Sequence, residues 1–392
     1  MEKNKPTILV ICDYYLPGYK SGGGMRTIVN IVGLLKEKFD FRIITRDHDG
    51  KLDKAVYTTV KINEWNDFQG SEVFYLPKNS FKFPAILRLI RQVKPEKIYT
   101  NSFFSSLALR VLVLRKLHLI SDIDLIVAPC GELSAGALGL KSLKKKIFIS
   151  AAKALNLYRN VIWKASTETE AEEIRNIDGK AETVLVAPDL LLQTILVDYE
   201  PSAKPEKVEG EARLVFVSRF ARKKNFKWLL EFLHAVKGNL SIDVYGPLED
   251  ADYWRECLEI IKTLPENIKI TSRGSIKHED VGKVLVNYHF FILPTLSENF
   301  GHVCLEALAA GCPLIISDKT PWLDLEEKNI GWDLSLDNRA GWIEKLNRCV
   351  NMNEAEFRHL SASSRRFAEQ WIMDEKIIEA TEKVLKHKSK KD

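Results

Sequence analysis

Residues 290–317 read FFILPTLSENFGHVCLEALAAGCPLIIS, a run that few architectures can hold. Short apolar segments at 290–293 and 313–316 are bounded by turn residues and predict two buried strands. Between them, residues 301–310 predict a helix that is apolar on every side, with Val303, Cys304, Leu305, Ala307, Leu308, Ala309 and Ala310 around a single acid, Glu306. A helix of that composition lies inside a protein. An ionised carboxylate there is costly unless a cation, hydrogen bonds or a ligand's hydroxyls meet it. A second acid, Glu298, stands in the loop that feeds the helix. Helical side chains lean toward the N-terminus, so both acids can face one opening. Between them come Asn299, Phe300, Gly301 and His302, whose backbone N–H groups at a helix start suit an anion. Acceptors for hydroxyls beside donors for a pyrophosphate are what a sugar nucleotide requires. The structural alternatives are a loop-end cap for Glu298 and a buried ion pair for Glu306.

Short buried strands alternate with helices along the rest of the chain. Strands are expected at 7–12, 41–45, 72–76, 97–100, 125–129, 161–164 and 184–187, and again at 213–217, 241–245 and 268–271. Such alternation means parallel, doubly wound sheets. A chain of 392 residues exceeds one ordinary core. The segment 198–211, DYEPSAKPEKVEGE, has two prolines, high charge and little apolar content, which marks it as a linker. The expected fold is therefore α/β, with two Rossmann-like domains facing across a cleft, at 1–197 and 212–365.

Ligands of open parallel sheets bind beyond the carboxyl ends of the strands. Strand 213–217 leads into Arg219 and Lys224, and strand 290–293 leads into Glu298. If both strands are central, cations and carboxylates converge, and the cations suit a departing diphosphate. Taken alone, Arg219, Arg222, Lys223 and Lys224 read equally as a solvated basic turn. In the first domain Gly22, Gly23 and Gly24 precede a helix at 25–38. They either bring backbone close to a ligand or form a plain flexible turn.

Other classes are disfavoured. A net charge of +5 is too small for a dedicated nucleic-acid binder. The six cysteines are scattered without a CxxC pair or Cys/His cluster, which supports neither a zinc site nor a disulfide framework. The N-terminus lacks the features of a signal peptide, and no apolar stretch reaches 18 residues, so a cytoplasmic protein is expected.

The pattern SRF-x3-KN after a strand, followed by Glu298-x7-Glu306 within PTLSENFGHVCLEALAAGCPLI, resembles the retaining GT-B glycosyltransferases of family 4, or group 1. The segments SGGGMRTIVNIV, YTNSFFS, APCGELSAGALGLKSLKKK and NVIWKASTETEAEEIR are similar to bacterial members that build surface polysaccharides. The resemblance implies transfer of a sugar from a nucleotide-diphosphate donor, UDP or GDP type, to a saccharide or lipid-linked acceptor, without metal or further cofactor. It implies that Arg219 and Lys224 stabilise the diphosphate and Glu298 positions the donor sugar. Asn299, Phe300, Gly301 and His302 would meet sugar and phosphate, and Glu306 the ribose. Arg273 to Ile276 would read the base, and Gly22, Gly23 and Gly24 would approach the diphosphate. It also implies a C-terminal segment, 366–392, that packs back on the first domain.

Many members place a histidine in the first domain near the reacting sugar, where this chain has APCGELS; Glu132 and Asp13 are the candidates for acceptor contacts there. The helix around Lys141, Lys144, Lys145, Lys146 and Lys153, with Ile147, Phe148 and Ile149, is either an ordinary basic face or a rest on the anionic inner surface of a membrane. A sugar-nucleotide epimerase of the same fold and a non-catalytic sugar-nucleotide-binding subunit are the alternatives in function.

Overall fold

The computed structural model describes residues 5–50, 55–77, 80–139, 142–196 and 204–389. The chain forms two units, Met1–Leu192 with Glu375–Asp392, and Gln193–Asp374.

The first unit is built on β1 (Thr7–Ile11), β2 (Asp40–Arg46), β3 (Trp65–Phe68), β4 (Ser71–Leu76), β5 (Lys97–Thr100), β6 (Asp124–Val127), β7 (Ile162–Ala165) and β8 (Thr183–Val186), in the order β3-β4-β2-β1-β5-β6-β7-β8. All pairings are parallel except β3 with β4. β3 was not expected, because WNDF lacks apolar alternation. Its cue is the two-residue turn Gln69-Gly70, both at positive φ (53° and 81°), the geometry of a tight hairpin. Ile8, Leu9, Val10, Ile43, Ile44, Ile126 and Ile162 are fully or almost fully buried, as strands covered by helices on both faces require.

The C-terminal helix Glu375–Lys386 completes this unit. Val384 and Leu385 enter the core around β1 and β2, with Ile377 and Ile378 packed against it, and Glu382 pairs with Lys38. Just beyond the helix, the carbonyl of His387 accepts a hydrogen bond from Lys97 Nζ at 2.5 Å.

The second unit holds β9 (Glu211–Val217), β10 (Asn239–Tyr245), β11 (Ile268–Gly274), β12 (Phe290–Leu293), β13 (Leu314–Ser317) and β14 (Gly331–Leu334), all parallel, in the order β11-β10-β9-β12-β13-β14. From β9 the chain winds outward through β10 and β11, then returns to β12 on the other side of β9 and winds out to β14. The order therefore reverses between β9 and β12, and the loops after these two strands flank the crevice where such sheets bind ligands. β1 and β5 hold the same place in the first unit.

The expected boundaries shift. Of the expected linker 198–211, residues 198–203 lie outside the described residues, and the remainder is tied into the second unit. Lys204 is buried and its ammonium donates to the carbonyls of Leu285 (3.1 Å) and Tyr288 (2.7 Å), while Lys207 donates to those of Val350 and Met352, both at 2.9 Å. These lysines cap the exposed carbonyls at the ends of helices His278–Leu285 and Arg339–Asn351. Charge that read as solvated linker is internal capping. The helix that follows β9 is short, Phe226–Leu230, and gives way to a 3-10 turn at Leu233–Ala235.

Candidate active site

The site is assembled at the β9/β12 switch point. After β9 the chain passes Ser218 and Arg219 into the tight turn Arg222–Lys224, which Asn225 ends at φ 58°. After β12, Thr295 Oγ1 (3.2 Å) and Leu296 N (2.8 Å) donate to the carbonyl of Lys223, so the two loops are fastened together. Lys224 and Glu298 thereby meet as a buried ion pair, Nζ to Oε2. Burial alone would raise the Glu298 carboxyl. The charge and hydrogen bond of Lys224, with Lys223 and Arg219 behind it, outweigh that and hold it below the ordinary range.

Gly301 then turns the chain into helix His302–Ala309 at φ 77°, a conformation that favours glycine. A Cβ at Gly301 would lie 3.0 Å from Glu298 Cγ and 3.3 Å from Cys304 Sγ. The N-cap position, Gly301, has no side chain with which to cap this helix start, and no acid occupies its first turn. Trp322 Nε1 donates to the Phe300 carbonyl at 2.5 Å, and the rings of Phe300, Trp322 and Trp371 pack together, which fixes the loop from behind. The far end of the helix is held by Arg365 Nη1, which donates to the Ala309 carbonyl at 2.6 Å.

Glu306, in the middle of that helix, is 4% exposed. Its Oε1 stands 3.5 Å from Nδ1 of His278, the first residue of the neighbouring helix. Cys304 lies near both acids: burial first, then Glu298 and Glu306, push its thiol up.

Lys224, Glu298, Gly301 and Glu306 thus share one neighbourhood, with the charge of Arg219 felt at Glu298. Arg219 itself is exposed and pairs with Glu249 at 2.8 Å. Arg273, at the end of β11, turns its Nε to Asp243 (2.9 Å), and Ile276 is half-buried in the loop that follows. His278 and Glu249 were missed in the sequence. A histidine directly after a strand-end loop was the available signal for the first.

In the first unit Gly22 has φ 74° and ψ −152°, and helix Gly23–Leu35 begins without a side-chain cap. The loop before it is held by Asp49, which accepts from the amides of Tyr19 (2.7 Å) and Lys20 (3.0 Å). Asn101 Nδ2 donates to the Gly24 carbonyl at 2.6 Å. Both acids considered for acceptor contacts are engaged internally. Asp13 accepts from Arg46 Nη2 (2.7 Å) and Ser105 Oγ (2.9 Å). Glu132 accepts from Ser102 Oγ (2.9 Å) and the amides of Phe103 (2.6 Å) and Phe104 (3.0 Å). Burial nonetheless pushes the Glu132 carboxyl up.

The basic helix is Ser142–Ala154, and Lys141 lies outside the described residues. Lys145 is not part of its free face, since its ammonium donates to the Ala137 carbonyl and lies over the Phe104 ring. Phe148 and Ile149 pack on the core instead of facing outward. The outward apolar residues are Leu143 (71% exposed) and Ile147 (61%), continued by Leu155 (56%) in the following turn. Lys144, Lys146 and Lys153 are exposed beside them.

Residues 199–360 match the family model described as glycosyl transferases group 1. Over 97% of the chain, the structure is similar to Anabaena HepE in complex with UDP and glucose (15% identity, 99% of that chain, TM-score 0.72). A comparable likeness links it to WaaG, described as a glycosyltransferase involved in lipopolysaccharide biosynthesis (13% identity, 97% of this chain, 100% of that one, TM-score 0.68). Two Rossmann-like parallel-sheet units on this plan define the GT-B fold. The stretch that matches glycosyl transferases group 1 lies within the second unit and holds its β9/β12 switch point, Lys224, Glu298 and Glu306. Among curated proteins, the GtfA subunit of the UDP-N-acetylglucosamine–peptide N-acetylglucosaminyltransferase of Streptococcus gordonii is 27% identical over 114 residues, 28% of this chain. That stretch spans only 21% of the length of that relative.

Proposed function

We propose that the protein is a retaining glycosyltransferase that moves a sugar from a nucleotide-diphosphate donor to a saccharide or lipid-linked saccharide acceptor in surface polysaccharide biosynthesis. The observation that carries this reading is the Lys224–Glu298 pair beside a helix start that has glycine at its N-cap and no acid in its first turn, with Glu306 buried in the same helix.

Each residue has a physical role. Lys224 and Arg219 neutralise the diphosphate and stabilise the charge that grows on it as the glycosidic bond breaks. The amides of Gly301 and His302 add the partial positive charge of a helix start. Glu298, kept ionised by Lys224, accepts hydrogen bonds from the donor sugar's hydroxyls. Glu306 accepts from the ribose hydroxyls, and Arg273 with Ile276 borders the base. In a front-face displacement the departing phosphate oxygen takes the acceptor's proton, so the engagement of Asp13 and Glu132 in their own loops is no obstacle. No metal enters this scheme, and activity is expected to persist in EDTA. The exposed Leu143 and Ile147 of helix Ser142–Ala154, beside Lys144, Lys146 and Lys153, support a rest on the anionic inner surface of the cytoplasmic membrane, from which a lipid-linked acceptor would be within reach.

The test begins with a thermal-shift screen of nucleotide sugars, since a ligand of the folded state raises the melting temperature by mass action. Glu306→Ala should then weaken binding of the free nucleoside diphosphate, while Glu298→Ala should mainly slow transfer. Equal loss of affinity in the two variants overturns these assignments. Binding without donor hydrolysis or transfer would make the chain a sugar-nucleotide-binding subunit. The product's anomeric configuration, read by NMR, decides retention.

A further inference from the structure

The carboxylate of Glu306 is nearly excluded from water, yet its surroundings differ from those of the other buried acids. Among the described residues, its side chain has one close polar neighbour, the His278 ring at 3.5 Å. His278 opens the helix His278–Leu285, which lies beside the glutamate helix, and the ring is partly exposed. The acids that follow it, Glu279 and Asp280, face lysines of their own segment, at 3.8 Å from Lys277 and 3.4 Å from Lys283.

We infer that His278 is a positioning residue for Glu306: its Nδ1 holds one carboxylate oxygen and leaves the other aimed at a ribose hydroxyl. This rests on the reading of Glu306 as a nucleotide-binding group. The terminal torsion of a glutamate is broad, so a carboxylate with no neighbour samples many orientations. A donor at Nδ1 selects one of them, in the Nδ1–H neutral tautomer as well as in the imidazolium. It also supplies a partner for a charge that would otherwise be stranded in an apolar helix. Because His278 follows Ile276 closely, the loop assigned to the base and the acid assigned to the ribose are joined through one side chain.

The test is a double-mutant cycle read by titration with UDP and GDP, using whichever binds the wild-type chain, and with inorganic pyrophosphate as a probe that lacks ribose. His278→Ala should weaken nucleoside diphosphate binding about tenfold, the scale of one hydrogen bond to a charged group. Pyrophosphate affinity should stay within about twofold, which a general distortion of the site would not allow. His278→Gln, which keeps an N–H donor, should restore most of the loss. In a Glu306→Gln background, His278→Ala should change affinity by less than about twofold, because its effect passes through the carboxylate. Equal losses in the two backgrounds, an unaltered affinity in His278→Ala, or parallel losses for pyrophosphate each overturn the inference. If Glu306→Gln itself binds nucleotide as the wild type does, the ribose reading of Glu306 falls first, and the inference falls with it.

Discussion

Replacing Lys224 by methionine isolates the pair at the centre of the site. The side chains of Lys224 and Glu298 are 11% and 17% exposed, so methionine leaves a carboxylate that is largely out of water and without its cation. Removing one partner of a buried pair costs about 3–5 kcal/mol. Glu298 keeps some contact with solvent and can take up a proton, so about 2–3 kcal/mol at neutral pH is the expected loss. For a unit near 180 residues this lowers the melting temperature by about 4–12 °C. The pH dependence identifies the cause. In the wild type the Glu298 carboxyl sits below its unfolded value, so its contribution is full above about pH 4.5 and is lost as pH falls through the folded value. In Lys224→Met, burial is no longer outweighed and the carboxyl moves above its unfolded value. That variant therefore loses stability as pH rises through the new value. The stability gap between the two proteins should be small near pH 4 and widen toward pH 7, as measured by urea denaturation at a series of pH values. Adding Glu298→Gln to Lys224→Met removes the stranded charge and should recover part of the loss. A gap independent of pH, or a double variant less stable than Lys224→Met, refutes the reasoning.

Arg219→Ala should cut the transfer rate by about two to three orders of magnitude while changing stability by no more than about 1 kcal/mol, because its pair with Glu249 is exposed; assays of rate and denaturation on one preparation separate the two effects. Gly301→Ala places a methyl 3.0 Å from Glu298 Cγ at a φ of 77°, and should cost about 1–2 kcal/mol of strain together with a measurable fall in nucleotide affinity; an alanine variant that binds and melts as the wild type does would show that the loop yields freely. Wild-type protein should sediment with vesicles containing phosphatidylglycerol and not with phosphatidylcholine alone, and Leu143→Asp with Ile147→Asp should abolish this without altering nucleotide binding. Retention of vesicle binding by that double variant removes the membrane role of the helix.

The legible part of this protein is the part where composition and chemistry conflict. Glu306 stood out because no local rule places an acid in an all-apolar helix, and Glu298 stood out through its spacing from it. The alternation of strands and helices exposed both sheets, since a buried parallel strand needs an apolar run whatever its neighbours are. Hidden features depend on what a side chain meets across the fold. Lys204 and Lys207 sit in a sequence indistinguishable from linker, and only the helix ends they cap show that they are internal. Ile147, Phe148 and Ile149 were read together beside the lysines, but their helical phase relative to the core turns only Ile147 outward, with Leu143, while Phe148 and Ile149 pack inward. β3 was missed because its residues carry little apolar signal and owe their pairing to a turn.

Three acids of this chain illustrate why burial alone does not mark a site. Glu170 is 1% exposed, yet it accepts from the amides of Gly131 (2.6 Å) and Ser166 (2.7 Å). Glu132 accepts from two amides and a hydroxyl in the loop after β5. In both, the chain's own N–H groups replace the water lost on folding, and the carboxylates serve as internal caps for loops. Glu306 is buried nearly as deeply as Glu170, and more deeply than Glu132, but faces an imidazole at 3.5 Å and, among the described residues, no backbone donor to its carboxylate. An acid satisfied by backbone has little capacity to spare for a ligand, whereas one with a single longer contact retains acceptor sites that a hydroxyl can fill. Satisfaction of the carboxylate, rather than its burial, separates Glu306 from Glu132 and Glu170, and it supports the proposal that a ribose hydroxyl binds at Glu306.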